Sequence, residues 1–344
     1  MCNKERLFGK TIDELRDIAN KEGLPAYTAT QMAGWLYAQN ASSIDEMTNL
    51  STRARDHMKE HYEFGLASPA TVRESRDGTR KYLFPCRSGK FVEAAYIPES
   101  NRNTLCLSSQ AGCKMGCLFC MTGKQGFHGN LSAGEILNQI RSLPEREQIT
   151  NLVYMGMGEP LDNLGEVLKS LEILTAPWGF AMSPRRITVS TIGIIPAMRR
   201  FIETSQAHLA VSLHTPFSEE RRKLMPVEHI HPVREVLKVL REYEPGKQRR
   251  ISFEYIMFKG LNDTPRHVRE LVRTLHGLKC RINLIRFHPI PGTSLESSDD
   301  HSIEIFRQML NEKGIITTLR ASRGQDIQAA CGLLSTTGLA NPGE

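Results

Sequence analysis

The sequence predicts an α/β protein whose core is a parallel sheet flanked by helices. From about residue 100, six short runs rich in strand formers alternate with helix-sized segments: RNTLCLSS (102–109), TNLVYMGMG (150–158), RRITVSTIG (185–193), AHLAVSLH (207–214), RRISFEYIMF (249–258) and RINLIRFHPI (281–290). Polar motifs sit at the C-terminal ends of five of these runs, where βα folds collect their reacting groups. A cysteine loop follows the first, GMGEP (156–160) ends the second, Ser190 the third, Ser212-Leu213-His214 the fourth and His288 the sixth. Such a sheet is either open or rolled into a barrel.

The elements before residue 100 differ. TIDE (11–14) and SIDE (43–46) match the capping box, in which a hydroxyl and a Glu three residues later satisfy each other's backbone donors at a helix start. With ATQMAGWLYAQ between them and STRARDHMKEHY after, residues 1–68 form a small helical N-terminal domain. In residues 69–98, Asp77-Gly78 and Ser88-Gly89 separate runs rich in strand formers, which predicts a β meander linking two domains, with a boundary near residue 95. Residues 99–325 then make the core, and 326–344 a C-terminal segment whose STTGLANPGE end is expected to fray.

Composition is that of a globular chain, with 40% hydrophobic and 24% charged residues. The opening MCNKERLFGK is charged where a signal peptide needs an apolar run, and no stretch approaches the roughly 18 apolar residues of a membrane span, so a cytoplasmic protein without membrane contact is expected. Net charge is +6; residues 1–80 carry 11 Lys+Arg against 12 Asp+Glu, which leaves 33 against 26 for the rest. That excess permits a polyanionic partner. Arg199-Arg200, Arg221-Arg222-Lys223 and Arg249-Arg250 are, in the plainest account, solvated helix faces and strand starts.

Of eight cysteines, Cys106, Cys113, Cys117 and Cys120 are crowded together. CKMGCLFC (113–120) supplies three thiolates where a structural zinc site needs four ligands; Cys106 and His128 are candidates for the fourth by position, although Cys106 lies seven residues upstream within an apolar run. Three thiolates on an iron-sulfur cubane instead leave one iron open. This C-x3-C-x2-C spacing, with Phe119 before the last Cys, resembles the radical S-adenosylmethionine (SAM) superfamily, in which the SAM amino and carboxylate groups chelate that iron.

TLCLSSQAGCKMGCLFCMTGKQGF, YMGMGEPLDN, VSTIGIIPAM, LAVSLHTP and RASRGQDIQAACG together resemble the RlmN/Cfr family of radical SAM RNA methyltransferases, on its RlmN side. The resemblance implies a partial (βα)6 barrel and methylation of adenosine C2 in the peptidyl-transferase region of 23S rRNA and next to the anticodon in tRNA. It implies a [4Fe-4S] cluster on Cys113, Cys117 and Cys120 and two SAM per methylation. Adenine C2 lies between two electron-withdrawing nitrogens and cannot attack a methyl as a nucleophile, whereas a carbon radical can add to it. In the family scheme Cys331 accepts a methyl from the first SAM, a 5′-deoxyadenosyl radical from the second removes a hydrogen from it, and the methylene bonds to C2. Cys106 then helps remove the C2 proton and forms a disulfide with Cys331; Glu93 matches a proton acceptor. Gly158, Glu159, Ser190, Ser212, Leu213, His214 and His288 match SAM-binding positions. Also implied are an RNA-binding accessory role for residues 1–68, a flavodoxin-type electron donor and a monomer.

Two positions depart from the family pattern: His288 replaces Asn, and Gly129 replaces the Arg before Asn-Leu. The competing functions are C8 methylation of the same rRNA adenosine, as in Cfr, and a non-catalytic zinc-bearing RNA-binding protein.

Overall fold

The computed structural model describes residues 4–39, 41–243 and 250–336. In the N-terminal module, β1 (Glu5–Arg6) pairs in parallel with β2 (Tyr62–Glu63) and closes helices α1 (Ile12–Lys21), α2 (Thr28–Ala33) and α3 (Thr52–His61) into one unit. Thr11 and Glu14 form the expected capping box on α1. SIDE does not: residues Ile44–Glu46 make a single 3-10 turn, because the Glu46 carboxylate accepts from Ser42 and Ser43 instead of completing a reciprocal cap. Helix α3 starts later, under the Ser51 cap. The module docks through Lys169 Nζ on Glu14 (2.6 Å) and Arg141 Nη2 on the carbonyls of Gln39 and Ala41 (2.8 and 2.9 Å).

The expected meander is β3 (Thr71–Glu74), β4 (Arg80–Pro85) and β5 (Phe91–Glu99), but it is not a linker. Strand β5 runs antiparallel to β6 (Arg102–Cys106), so the three strands extend the main sheet, and the boundary expected near residue 95 falls inside β5. After β6 come the hairpin β7 (Gln110–Gly112) and β8 (Phe127–Asn130), then β9 (Asn151–Tyr154), β10 (Ile187–Thr191), β11 (His208–Ser212), β12 (Ile251–Met257), β13 (Cys280–Arg286) and β14 (Thr317–Leu319). Sheet order is β14-β13-β12-β11-β10-β9-β6-β5-β4-β3, with every pair from β14 to β6 parallel. All six expected runs are strands; β14 adds a seventh.

Strand alternation divides the sheet into two faces. Leu105, Leu152, Tyr154, Val189, Leu209, Phe253, Tyr255 and Leu284 pack in one core with residues of the connecting helices, among them Leu137, Leu171, Phe201, Leu240, Leu271 and Phe306. The other face carries Thr104, Cys106, Val153, Thr188, Ser252, Glu254, Asn283 and Thr318 and curls around a single cavity of about 580 Å³. The end strands β14 and β3 are not hydrogen-bonded to each other, so the sheet is a partial barrel with an open seam.

Residues 324–336 cross that seam. Asp326 accepts from Ser75 Oγ (2.6 Å) and the Arg76 N–H (3.2 Å), and Asp77 accepts from the Gly324 N–H (2.9 Å). Gly324 has φ +63°, and a Cβ there would lie 2.8 Å from both Ala329 Cβ and Thr79 Cγ2, so this crossing needs glycine. Among the described residues no helix is long and apolar enough to cross a membrane.

Candidate active site

The clustered cysteines hang on the loop between β7 and β8. Its ends are tied by the Cys113 N–H to the Gly126 carbonyl (2.9 Å) and by Gln110 Nε2 to Asn130 Oδ1 (2.8 Å). Cys113 and Cys117 are buried and Cys120 half-buried; burial pushes the Cys113 thiol up to about 12 and Cys117 well above its usual value, and the neighbouring sulfurs add to both shifts. Deprotonating Cys113 and Cys117 therefore calls for a bound cation. A tetrahedral Zn(II) with 2.3 Å bonds holds its sulfurs about 3.8 Å apart. Among the described residues, the one trio of His, Cys, Asp or Glu with all ligand atoms within 4.8 Å is Glu22, His57 and His61 in the N-terminal module, where Glu22 already accepts from Tyr62 Oη (2.8 Å). At least one pair of the Cys113, Cys117 and Cys120 sulfurs therefore lies more than 4.8 Å apart, wider than one tetrahedral ion holds them. Neither expected fourth zinc ligand joins them: His128 is exposed on β8, and Cys106 faces Cys331.

The cysteine loop is backed by an apolar patch of Phe119, Ile192, Leu224, Met225, Ile256, Phe258 and Phe287. Reconstituted with iron and sulfide, the protein is expected to be brown with broad visible absorption, and Cys117→Ser to lose that spectrum. A colourless, zinc-loaded protein would return the site to the structural zinc class.

The remaining strand ends converge beside this loop. Gly158 and Gly156 are imposed by protein neighbours: Cβ atoms there would lie 2.4 Å from Gln110 Cβ and 2.6 Å from the Leu107 carbonyl. Glu159 is buried; Oε1 accepts from Thr191 Oγ1 (2.6 Å) and the Leu161 N–H (3.1 Å), and Oε2 from the Ile192 N–H (3.1 Å). Burial outweighs these bonds and pushes its pKa up to about 7. Ser190 lies on the cavity-facing side of β10, Ser212 ends β11, and Leu213 is core.

His214 is buried with φ +58°, and its Nδ1 accepts the Ile256 N–H (3.0 Å). The ring is therefore neutral with its proton on Nε2, burial pushes its pKa down to about 3, and its edge meets Phe119 at 4.7 Å between centroids. His288, half-buried beyond β13, is lowered by burial and by Arg286. Neutral, it offers one donor nitrogen and one acceptor nitrogen, where an Asn amide offers one donor nitrogen and one acceptor oxygen. Gly129 lies in β8 with open space beside its Cα.

Cys106 and Cys331 line the same cavity as Cys120 of the cysteine loop. Both are free thiols; Cys106 is buried, whereas Cys331 opens into the cavity. Burial raises both, Cys331 raises Cys106 further, Glu254 and Cys120 raise Cys331, and Arg320 acts in the opposite sense on each. Arg320 is itself held by Glu254 (3.3 Å) and Met155 Sδ (3.0 Å).

Glu93 is buried and committed on both oxygens: Oε1 to Lys81 Nζ (2.9 Å) and Oε2 to the Ser335 N–H (2.9 Å). It thus grips the segment that carries Cys331. From the cluster side, Thr122 Oγ1 donates to the Leu334 carbonyl (2.6 Å) and the Met121 N–H to the Gly332 carbonyl (2.9 Å).

The sequence reading missed Arg221. Far from a solvated helix face, it is fully buried, ion-paired with Glu228, and donates from Nη2 to the carbonyls of Ile192 (2.8 Å) and Ser212 (3.0 Å). The available signal was its spacing from Phe217 and Leu224, four and three residues away, which places it on the apolar side of helix α8 (Ser218–Leu224), the helix after the short α4 (Met121–Lys124), α5 (Ala133–Arg141), α6 (Leu164–Thr175) and α7 (Ile195–Thr204).

A partial barrel with three cysteines on the loop after its first parallel strand, facing glycine- and acid-bearing strand ends, defines a radical SAM enzyme. The radical SAM superfamily model matches residues 107–275, and that of the ribosomal RNA large subunit methyltransferase N-terminal domain matches 6–64. The chain is 56% identical to a probable dual-specificity RNA methyltransferase RlmN of Parabacteroides distasonis over 336 residues, 98% of each chain. It is 41% identical to the dual-specificity RNA methyltransferase RlmN of Syntrophobacter fumaroxidans, over 94% of this chain and 96% of that one. A crystal structure of a radical SAM methyltransferase from Sphaerobacter thermophilus superposes with a TM-score of 0.90 at 37% identity, over 96% of this chain and 99% of that one. The chain belongs to the RlmN family, whose radical SAM membership implies a [4Fe-4S] cluster and SAM.

Proposed function

We propose that the protein methylates C2 of adenosine in 23S rRNA and in tRNA by way of a methyl group carried on Cys331. One observation carries the reading: two free thiols, Cys106 and Cys331, share a cavity with a cysteine of the cluster loop.

Cys113, Cys117 and Cys120 would hold the cluster, and Glu159, Ser190, Ser212, His214 and His288 would surround SAM at the adjoining strand ends. When bound, these groups supply a methyl group and, by one-electron reductive cleavage, a hydrogen-abstracting carbon radical; this uses two SAM per product and an electron from a flavodoxin-type donor. Cys331 loses its thiol proton and forms the S–CH3 bond. After loss of one hydrogen atom its methylene carbon bonds to C2, joining protein and RNA. The adduct gives up one electron, which would return to the oxidised cluster, and the C2 proton, the latter toward Cys106. The Cys106 thiolate then attacks the Cys331 sulfur; the S–CH2 bond breaks, its electron pair stays on carbon, a proton completes the methyl, and a disulfide remains.

Glu93 supports the reaction by fixing the Cys331 segment through Ser335, and its charge is balanced by Lys81. We assign it this anchoring part in place of proton acceptance, since neither carboxylate oxygen is left without a protein partner.

The decisive test is anaerobic reconstitution with SAM, reductant and unmodified rRNA or tRNA, followed by nucleoside mass spectrometry. 2-Methyladenosine is expected; 8-methyladenosine would establish the Cfr-type reaction, and no methylation with intact SAM cleavage would overturn the RNA assignment.

A pH dependence follows from Glu159. Its protonated form dominates below about 7 in the free protein, and the ionised carboxylate is the stronger acceptor for an N–H of the SAM amine. SAM affinity should therefore rise as pH increases toward 7 and then level off, falling about tenfold per unit below that value. Calorimetric titration of the holoenzyme between pH 5.5 and 8 checks this, and Glu159→Gln should flatten the profile.

A further inference from the structure

The cavity does not end at the thiols. It runs down the inner face of the sheet to the N-terminal ends of the strands, where Arg102, Asn151, Arg185, Thr188, His208, Arg250 and Arg281 line it. From Arg250 to Glu254, beside Arg320, is four strand residues, or about 13 Å. Arg102 is occupied by Glu99 (2.7 Å) and Arg320 by Glu254 (3.3 Å). Arg185, Arg250 and Arg281 have no carboxylate partner among the described residues, and Arg250 lies close enough to Arg281 to oppose its charge. Three guanidinium groups at one mouth with no carboxylate partner among the described residues form a site for anions whose oxygens accept forked hydrogen bonds.

We propose that Arg185, Arg250 and Arg281 hold backbone phosphates of single-stranded RNA beside the target adenosine, so that its base enters the half-barrel from the N-terminal mouth. This rests on the RNA methyltransferase reading above. Single-stranded RNA fits and duplex does not, because about 580 Å³ admits an extruded nucleoside and not a helix. The base travels the inner face toward Cys331 while phosphates remain outside with the arginines. The cluster and SAM sites occupy the opposite end, so RNA and cofactor approach without competing for one entrance.

The test measures binding of an unmodified RNA stem-loop to the reconstituted holoenzyme at several salt concentrations. Arg185→Ala, Arg250→Ala and Arg281→Ala should each weaken binding roughly tenfold, and each lost phosphate contact should reduce the log-log salt slope by about 0.7. Arg250→Lys should keep the slope and lose part of the affinity. Arg200→Ala, on the outer face of α7, removes the same charge and should leave affinity unchanged. Cluster absorbance and unfolding midpoint establish that each variant is folded. Unaltered affinity and slope in the triple variant, with a wild type that binds and methylates RNA, would overturn the mouth. A wild type that methylates no RNA would overturn the parent reading and this one with it.

Discussion

Cys331→Ala should retain the cluster and SAM binding yet lose methyl transfer by about 10³-fold or more, because no other described cysteine opening into the cavity can carry the methyl group. Cys106→Ala should fail later. With Cys331 present the methylene still bonds to C2, but the thiol that attacks the Cys331 sulfur is gone, so a covalent protein-RNA adduct should build up. A denaturing gel reads both outcomes: no shifted band for the first variant, and a nuclease-sensitive shifted band for the second. Normal turnover of Cys106→Ala would refute the resolving role. The two phenotypes also separate chemistry from packing, since an apolar cavity wall would give neither.

The second large effect is on stability. Arg221 and Glu228 are both fully buried, and removing one partner of such a pair leaves an uncompensated charge. Arg221→Met is expected to cost about 3–5 kcal/mol in denaturant unfolding of the holoenzyme. Arg221→Met combined with Glu228→Leu should recover most of that, because two apolar side chains replace the pair without an orphan. SAM affinity should not recover with it. Arg221 Nη2 fixes the carbonyls of Ile192 and Ser212, and neither apolar residue can hold them. If affinity returns along with stability, Arg221 is a packing residue only.

What could be foreseen from the chain follows the range of the interactions involved. The six core strands were legible because β-branched runs alternate locally with helix-length segments, and the cysteine loop because its ligands lie within eight residues. Strand β14 was not, since Thr317–Leu319 is too short to show a period. The joining of the meander to the sheet depends on β5 meeting β6 through a tight reversal at residues 100–101, which gives no sign of which strand lies beyond it. Contacts such as Ser75 with Asp326 or Glu93 with Ser335 span more than 240 residues and leave no periodic trace. Glu93 could be named from resemblance, but its partners needed coordinates. Arg221 shows the converse: charge was plain in the sequence, while its burial was determined by helix phase.

The seam of the half-barrel gives Cys331, the proposed methyl carrier, a special mechanical position. A closed barrel is a continuous fabric of ladder bonds, and moving any residue of its wall tears neighbouring strands. Here residues 324–336 are laced across the gap mainly by side chains and single backbone bonds. In the proposed reaction Cys331, which would meet SAM, then adenine, then Cys106, rides on that lacing and not on a strand. Three successive encounters can therefore be served by loosening a few stitches while the sheet that aligns cluster and cofactor stays whole.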